Sequence, residues 1–138
     1  MIRITIPGDP VGKGRPRMTC SGRMYTPAKT KAWERRAATM MAYQAVGVWT
    51  PPNRYTPIKV SVWAIARRPK AFSRKKDPKG RVRRLAKPDI DNVAKAVLDA
   101  AQKAKVFVDD AQVCELTAYS MYGAIGEEPC VEVTMEEL

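Results

Sequence analysis

Hydrophobic and polar residues alternate at the start of the chain and then follow helical spacing. Ile2, Ile4 and Ile6 alternate with polar residues, which predicts a half-buried strand. Thr26 and Pro27 then resemble a helix N-cap followed by proline at the first helical position. Apolar residues recur behind them at a spacing that predicts an amphipathic helix ending near Gly47. The predicted buried stripe of this helix is Trp33, Ala37, Met40, Met41, Ala45 and Val48.

The second half of the chain repeats this change from strand to helix and back. Residues 57–66 alternate as a strand, and a helix is predicted from Asp91 or Asn92 to Ala104. Its inner stripe would be Val93, Ala96, Val97, Ala100, Ala101 and Ala104. Strand patterns at residues 113–122 and 131–135 follow. The order β-α-β-α-β-β predicts one α/β (α+β) domain over residues 1–138, with helices packed on a small mixed sheet.

Cationic residues are concentrated in the region between these two halves. The net charge is +11, and in residues 67–87 Asp77 is the only acid among many lysines and arginines. Because this segment also holds Pro and Gly, we predict a mobile loop that orders on nucleic acid. Its candidate DNA-binding residues are Arg67, Arg68, Lys75, Lys76, Arg81, Arg83, Arg84 and Lys87.

The Pro- and Gly-rich segment 7–17 adds Lys13, Arg15 and Arg17 as candidate phosphate contacts, although an ordinary connector is the alternative. A basic chain of this kind indicates a polyanionic partner, since Lys and Arg neutralise phosphates. A solvated basic surface is the alternative interpretation of the whole pattern.

Composition excludes several classes of chemistry. The chain has no histidine, so neither a His-activated nucleophile nor a histidine base is available. Cys20, Cys114 and Cys130 lack C-x-x-C spacing, which argues against zinc and is typical of a reducing compartment. No stretch approaches the roughly 18 apolar residues of a membrane span. The N-terminus lacks the pattern of a signal peptide, so a cytoplasmic protein without membrane partners is expected.

Three acidic positions form the candidate catalytic constellation. Asp89 and Asp91 are separated by one residue just before the second helix, and Lys95 follows Asp91 by one helical turn. The pair Asp109-Asp110 follows that helix, and spacing alone does not choose between its two members. Carboxylates that bind Mg²⁺ can support phosphodiester hydrolysis without histidine. The competing interpretation is structural: Asp before a helix is a common N-cap, Lys a common solvent residue and Asp-Asp a common turn.

These residues resemble the RusA family of Holliday-junction resolvases. The family pattern D-x-D-N-x-x-K, then a helix and D-D-A-Q-V, is matched by residues 89–95 and 109–113. The resemblance implies that Asp89, Asp91 and Asp110 are catalytic and bind Mg²⁺ or Mn²⁺, and that Lys95 is the essential lysine. It also implies a homodimer that makes paired symmetric nicks in four-way DNA junctions during recombination and repair.

Two residues depart from the family pattern. Pro88 stands where the prototype has arginine, and Lys105 stands where the family often has glycine. If Lys105 is left-handed, it destabilises the fold by on the order of 1 kcal/mol. Two other functions stay open: a metal nuclease for other branched DNA or RNA, and a non-catalytic basic nucleic-acid-binding module.

Overall fold

The computed structural model describes all residues from 1 to 138, which form two helices and seven strands. The long strands are β1 (Ile2–Pro7), β4 (Ile58–Ala66), β6 (Val113–Tyr122) and β7 (Cys130–Glu137), and the short ones are β2 (Arg17–Met18), β3 (Met24–Tyr25) and β5 (Val82–Arg83). The helices are α1 (Ala28–Ala45) and α2 (Ile90–Lys103). Neither helix is long and apolar enough to cross a membrane.

Five strands form one mixed sheet in the order β1-β7-β4-β6-β5. Strands β4 and β6 are parallel, and every other neighbouring pair is antiparallel. The inward residues of β1, β4 and β7 form a single hydrophobic cluster with the apolar stripes of both helices. This arrangement confirms the predicted α+β fold. The connection from β4 to β6 contains α2, so the helix that follows Asp89 is held against the two parallel strands.

The apolar stripe of α1 is largely confirmed, whereas its predicted cap is wrong. Trp33, Ala37 and Met41 are buried, which gives Trp33 its place in the core. The helix begins at Ala28, with Pro27 in the N-cap position and no side-chain capping hydrogen bond. Thr26 therefore does not cap the helix. Val48 is 68% exposed because it follows the last helical turn.

The basic segment 67–87 contains more regular structure than its composition predicts. Its residues 82–83 form β5 and pair with Met121 and Tyr122 of β6. Arg68 is buried, and its guanidinium donates to the carbonyls of Gly123, Phe72, Pro78 and Gly80. The segment is therefore not irregular throughout, whereas its mobility and its ordering on nucleic acid stay predictions. A charged side chain can be buried here because backbone oxygens accept its donors.

Helix α2 ends in a backbone conformation that disfavours a side chain. Lys105 has φ 56°, and its N–H donates to the carbonyl of Gln102. This confirms the left-handed geometry considered from the sequence. Only glycine adopts that region without a steric penalty.

We expect Lys105→Gly to raise the free energy of unfolding by about 1 kcal/mol, because it relieves this penalty. Urea unfolding followed by circular dichroism measures the change. Lys105→Ala is the matched control: it removes the same charge but keeps the β-carbon, so it should give little or no gain. Equal gains for both variants would contradict the conformational explanation.

Candidate active site

Asp89 and Asp91 lie at the N-terminal end of α2 and are both accessible. Asp89 occupies the N-cap position with extended backbone, but its side chain makes no capping hydrogen bond. Instead its carboxylate accepts from Lys87 Nζ at 2.6 Å. Asp91 is in the first turn, with Oδ2 3.9 Å from Lys95 Nζ. The structure thus places Lys95 beside Asp91, and a capping role does not account for the Asp89 carboxylate.

Asp109 and Asp110 have different surroundings, although they are adjacent. Asp109 precedes a short 3-10 turn, residues 110–112, and its Oδ1 accepts from the N–H of Ala111 at 3.0 Å. Gln112 completes this capping box by accepting from the N–H of Asp109. The Asp110 carboxylate does not cap this turn, and its interaction with the Ala111 N–H is only a minor cause that lowers its pKa. This difference favours Asp110 as the member available for chemistry, in agreement with the family pattern.

The two carboxyl groups also differ in pKa. The hydrogen bond from Ala111 is the largest cause that lowers the pKa of Asp109. The pKa of Asp110 is raised, chiefly by its hydrogen bond with Asp109 and also by desolvation and repulsion from the same carboxylate. Two acids this close do not ionise independently. A nearby cation would therefore favour the fully ionised pair.

The carboxylate oxygens of Asp89, Asp91 and Asp110 are suitable ligands for a hard divalent cation, but the three side chains are not arranged as a metal-binding group. Carboxylate oxygens are the ligands that Mg²⁺ prefers, and no sulfur or imidazole ligand competes at these positions. However, no three acidic, histidine or cysteine side chains converge into a metal-binding group in this chain. Any ion bound by Asp89, Asp91 and Asp110 would therefore require side-chain rearrangement.

An open cleft of about 590 Å³ lies beside Asp89. Its lining residues come from the Gly-rich segment 10–14, the start of α1 and the turn before α2; the charged ones are Lys13, Arg17, Lys29, Lys87 and Asp89. The cleft is thus mostly cationic, with a candidate catalytic carboxylate at one end. Such a surface suits a phosphate backbone.

Gly12 packs closely against the turn that precedes α2, and so it fixes the Gly-rich segment against that turn. A Cβ at Gly12 would lie 2.9 Å from the Cβ of Pro88 and 3.2 Å from that of Asn92. The N–H of Lys13 also donates to the carbonyl of Asn92 at 2.9 Å. The glycine is therefore needed for close backbone approach, and it positions the residues on either side of Asp89.

Three of the predicted DNA-binding cations form ion pairs or hydrogen bonds with other residues of the chain. The Lys13 ammonium contacts Asp99 and Glu34, and the hydrogen bond with Asp99 is the largest cause that raises its pKa. Arg81 forms ion pairs with Glu127 and Glu132 at 2.6 and 2.7 Å. Arg68 is buried among carbonyls, as described above. These contacts give all three residues a structural role and make them poor candidates for DNA contact.

The other predicted cations lie at or near the surface. Arg67 pairs with exposed Glu128, Arg83 lies over the Tyr119 ring, and Arg84 donates to the carbonyl of Lys87. Arg15, Arg17, Lys75 and Lys76 form no ion pair. Sequence reasoning missed Lys29, which lines the cleft. The absence of any acid between Asp9 and Glu34 is the signal that could have found it.

Comparisons with known proteins cover almost the whole chain. A family model described as "Endodeoxyribonuclease RusA" matches residues 7–136. The "Uncharacterized protein YqaN" of Bacillus subtilis (strain 168) is 33% identical over 146 residues, which span 99% of this chain and 96% of that protein. The family match includes the cleft and all of the candidate aspartates.

The Arg81 pairs lead to a pH-dependent prediction. Arg81→Gln should lower the free energy of unfolding at pH 7 by about 1–2 kcal/mol, since it removes charge-assisted hydrogen bonds in a partly exposed site. Arg81 is also the main cause that lowers the pKa of Glu127 in the folded state. A lowered folded-state pKa stabilises the fold above the unfolded-state pKa, and this stabilisation disappears as pH falls through the folded value.

The difference between the wild type and Arg81→Gln should therefore shrink as the pH falls below about 4, where free carboxyl groups become protonated. Urea unfolding at several pH values measures it. Lys76→Gln is the control, because Lys76 forms no ion pair and should leave stability unchanged. A pH-independent loss in Arg81→Gln would show that packing rather than charge is responsible.

Proposed function

Because this chain belongs to the RusA family of endodeoxyribonucleases, we propose that it resolves four-way DNA junctions by paired symmetric nicks that require Mg²⁺, with Mn²⁺ as a substitute. Family membership makes the protein a junction-resolving endonuclease. The observation that carries the finer proposal is the exposed group Asp89, Asp91 and Lys95, of which Asp89 lines a cationic cleft. A mere N-terminal cap would not require such a group.

In this proposal Asp89, Asp91 and Asp110 hold the metal ion, and Lys95 acts on the phosphate. The ion would polarise the scissile phosphate and activate water, as carboxylate-bound Mg²⁺ does in phosphodiester hydrolysis. Lys95 lies close enough to Asp91 to stabilise charge on a nonbridging oxygen. Lys87 begins paired with Asp89 and can turn to a phosphate, since its side chain is 83% exposed.

The raised pKa of Asp110 is consistent with a role as ligand. Its carboxyl group is held near another acid, so a bound cation would relieve the repulsion between them. Asp109 would then keep the 3-10 turn in place through Ala111 while Asp110 contacts the ion. The adjacent aspartates thus have separate tasks, one in positioning and one in binding.

A homodimer completes the proposal. A four-way junction has two strands that are equivalent by symmetry, and one protomer presents one set of these aspartates. Two protomers related by a two-fold axis would place one set at each strand. Recognition would depend chiefly on backbone phosphates, which fits the cationic surface and leaves sequence preference to contacts at the cut.

The first test removes a proposed metal ligand. Asp91→Asn should lower the cleavage rate by at least about a thousandfold, because it removes a carboxylate ligand, and should preserve or strengthen junction binding. Cleavage of a labelled synthetic junction and its Kd are both measured. Glu137→Gln is the control, since it removes one exposed negative charge at the end of β7. Normal cutting by Asp91→Asn would refute the catalytic assignment.

The second test examines the substrate and the metal. Mg²⁺ should convert a mobile four-way junction into two symmetric nicked duplexes, and EDTA should prevent it, because the proposed ligands need a divalent ion. Forks, flaps, linear duplex and an RNA junction form the comparison panel. Equal cleavage of all these substrates would remove the case for junction selectivity, and undiminished cleavage in EDTA would remove the metal.

A further inference from the structure

The β2–β3 hairpin, residues 17–25, exposes apolar side chains that the core does not use. Met18 and Met24 are 67% and 57% exposed, and Tyr25 is 43% exposed. None of the three belongs to the hydrophobic cluster or packs against it. The hairpin is nevertheless well formed, because Thr19 N–H donates to the carbonyl of Arg23 and Gly22 adopts the φ of 79° that its turn requires. Such exposure on an ordered element indicates a binding surface.

The strand register divides the hairpin into two faces. Met18 lies opposite Met24, and Arg17 lies opposite Tyr25. Side chains of directly opposite residues project from the same face, so one face carries two methionines and the other carries an arginine and a tyrosine. Arg17 also lines the cleft that contains Asp89. The hairpin is therefore a direct extension of the candidate active site.

The charged residues along the chain segment that contains the hairpin are all cationic. No acid occurs between Asp9 and Glu34, whereas this stretch contains the cations Lys13, Arg15, Arg17, Arg23, Lys29 and Lys31. Among these only Lys13 forms an ion pair within the chain. The remaining cations are available for an anionic partner. They also disfavour pairing of this hairpin with its own copy across a two-fold axis, since that contact would bring like charges together.

We infer that the β2–β3 hairpin binds the branch point of the DNA substrate. Its cations contact phosphates, and the face that carries Met18 and Met24 contacts base faces where stacking is interrupted. In a continuous duplex these faces are covered by neighbouring base pairs, so apolar side chains reach them only where the stack opens. The hairpin would thus favour a junction over linear DNA. This inference rests on the proposed function, because it assigns part of the same substrate to a second element.

The test compares junction and duplex binding in a protein that does not cut. In an Asp91→Asn background, the double substitution Met18→Ala/Met24→Ala should weaken junction binding about tenfold, and linear duplex binding by less than about twofold. Fluorescence anisotropy at one fixed salt concentration measures both. A 2-aminopurine at the branch point should change its fluorescence on binding the parent protein and respond less to the double variant.

Tyr43→Ala is the matched control. Tyr43 is 81% exposed on α1, about 20 Å along the helix from its first residue. This variant should keep both affinities and the 2-aminopurine response. Because the two methionines are exposed, the double variant should also keep the unfolding midpoint of its parent.

Several results would overturn the inference. Unchanged junction binding, or an equal loss on junction and duplex, would show that the hairpin does not recognise the branch. A change in oligomeric state, measured by sedimentation of the double variant, would assign Met18 and Met24 to a contact between protomers. Failure of the proposed function is recognised separately: the parent with its native hairpin would then bind junction no better than duplex.

Discussion

The buried carboxylate of Glu34 is the constraint on which the arrangement around the site depends. It is 2% exposed and accepts from Lys13 Nζ at 3.1 Å and Lys103 Nζ at 2.7 Å. A buried carboxylate without partners would be destabilising by several kcal/mol, so both ammonium groups are required where they are. One comes from the Gly-rich segment and the other from the end of α2. Glu34, on α1, therefore holds three elements together.

This anchor explains how the aspartates can be positioned and still be exposed. Lys13 is fixed at Glu34 and Asp99 through its side chain and at Asn92 through its backbone. Gly12 then packs against Pro88. The turn that carries Asp89 is thus held from behind, while the carboxylates face solvent. A large rigid substrate needs this combination, since its phosphates must reach groups that cannot lie in a deep pocket.

Much of the fold could be predicted from the chain because its periodicity is local. The alternating isoleucines of β1 and the stripes of α1 and α2 depend on neighbours a few positions apart, and the structure confirms them except for Val48, which lies beyond the end of α1. The local structure of the basic segment, residues 67–87, is harder to predict from the sequence. Its composition favours disorder, but Arg68 finds carbonyl acceptors as far away as Gly123, and β5 finds a partner in β6. No local pattern contains those contacts.

The sequence by itself determined the two helices and the four long strands, the Asp91–Lys95 spacing and the family motif, because each depends on residues close along the chain or on matched order. Only the tertiary structure decided which charges are free. Arg81 is neutralised by Glu132, 51 positions away, whereas Arg17 and Lys29 remain unpaired and meet Asp89 at one cleft. It also showed Asp109 capping a turn beside Asp110, and it left the β2–β3 hairpin outside the core. Ion pairing and burial depend on distance in space, which composition and spacing do not contain.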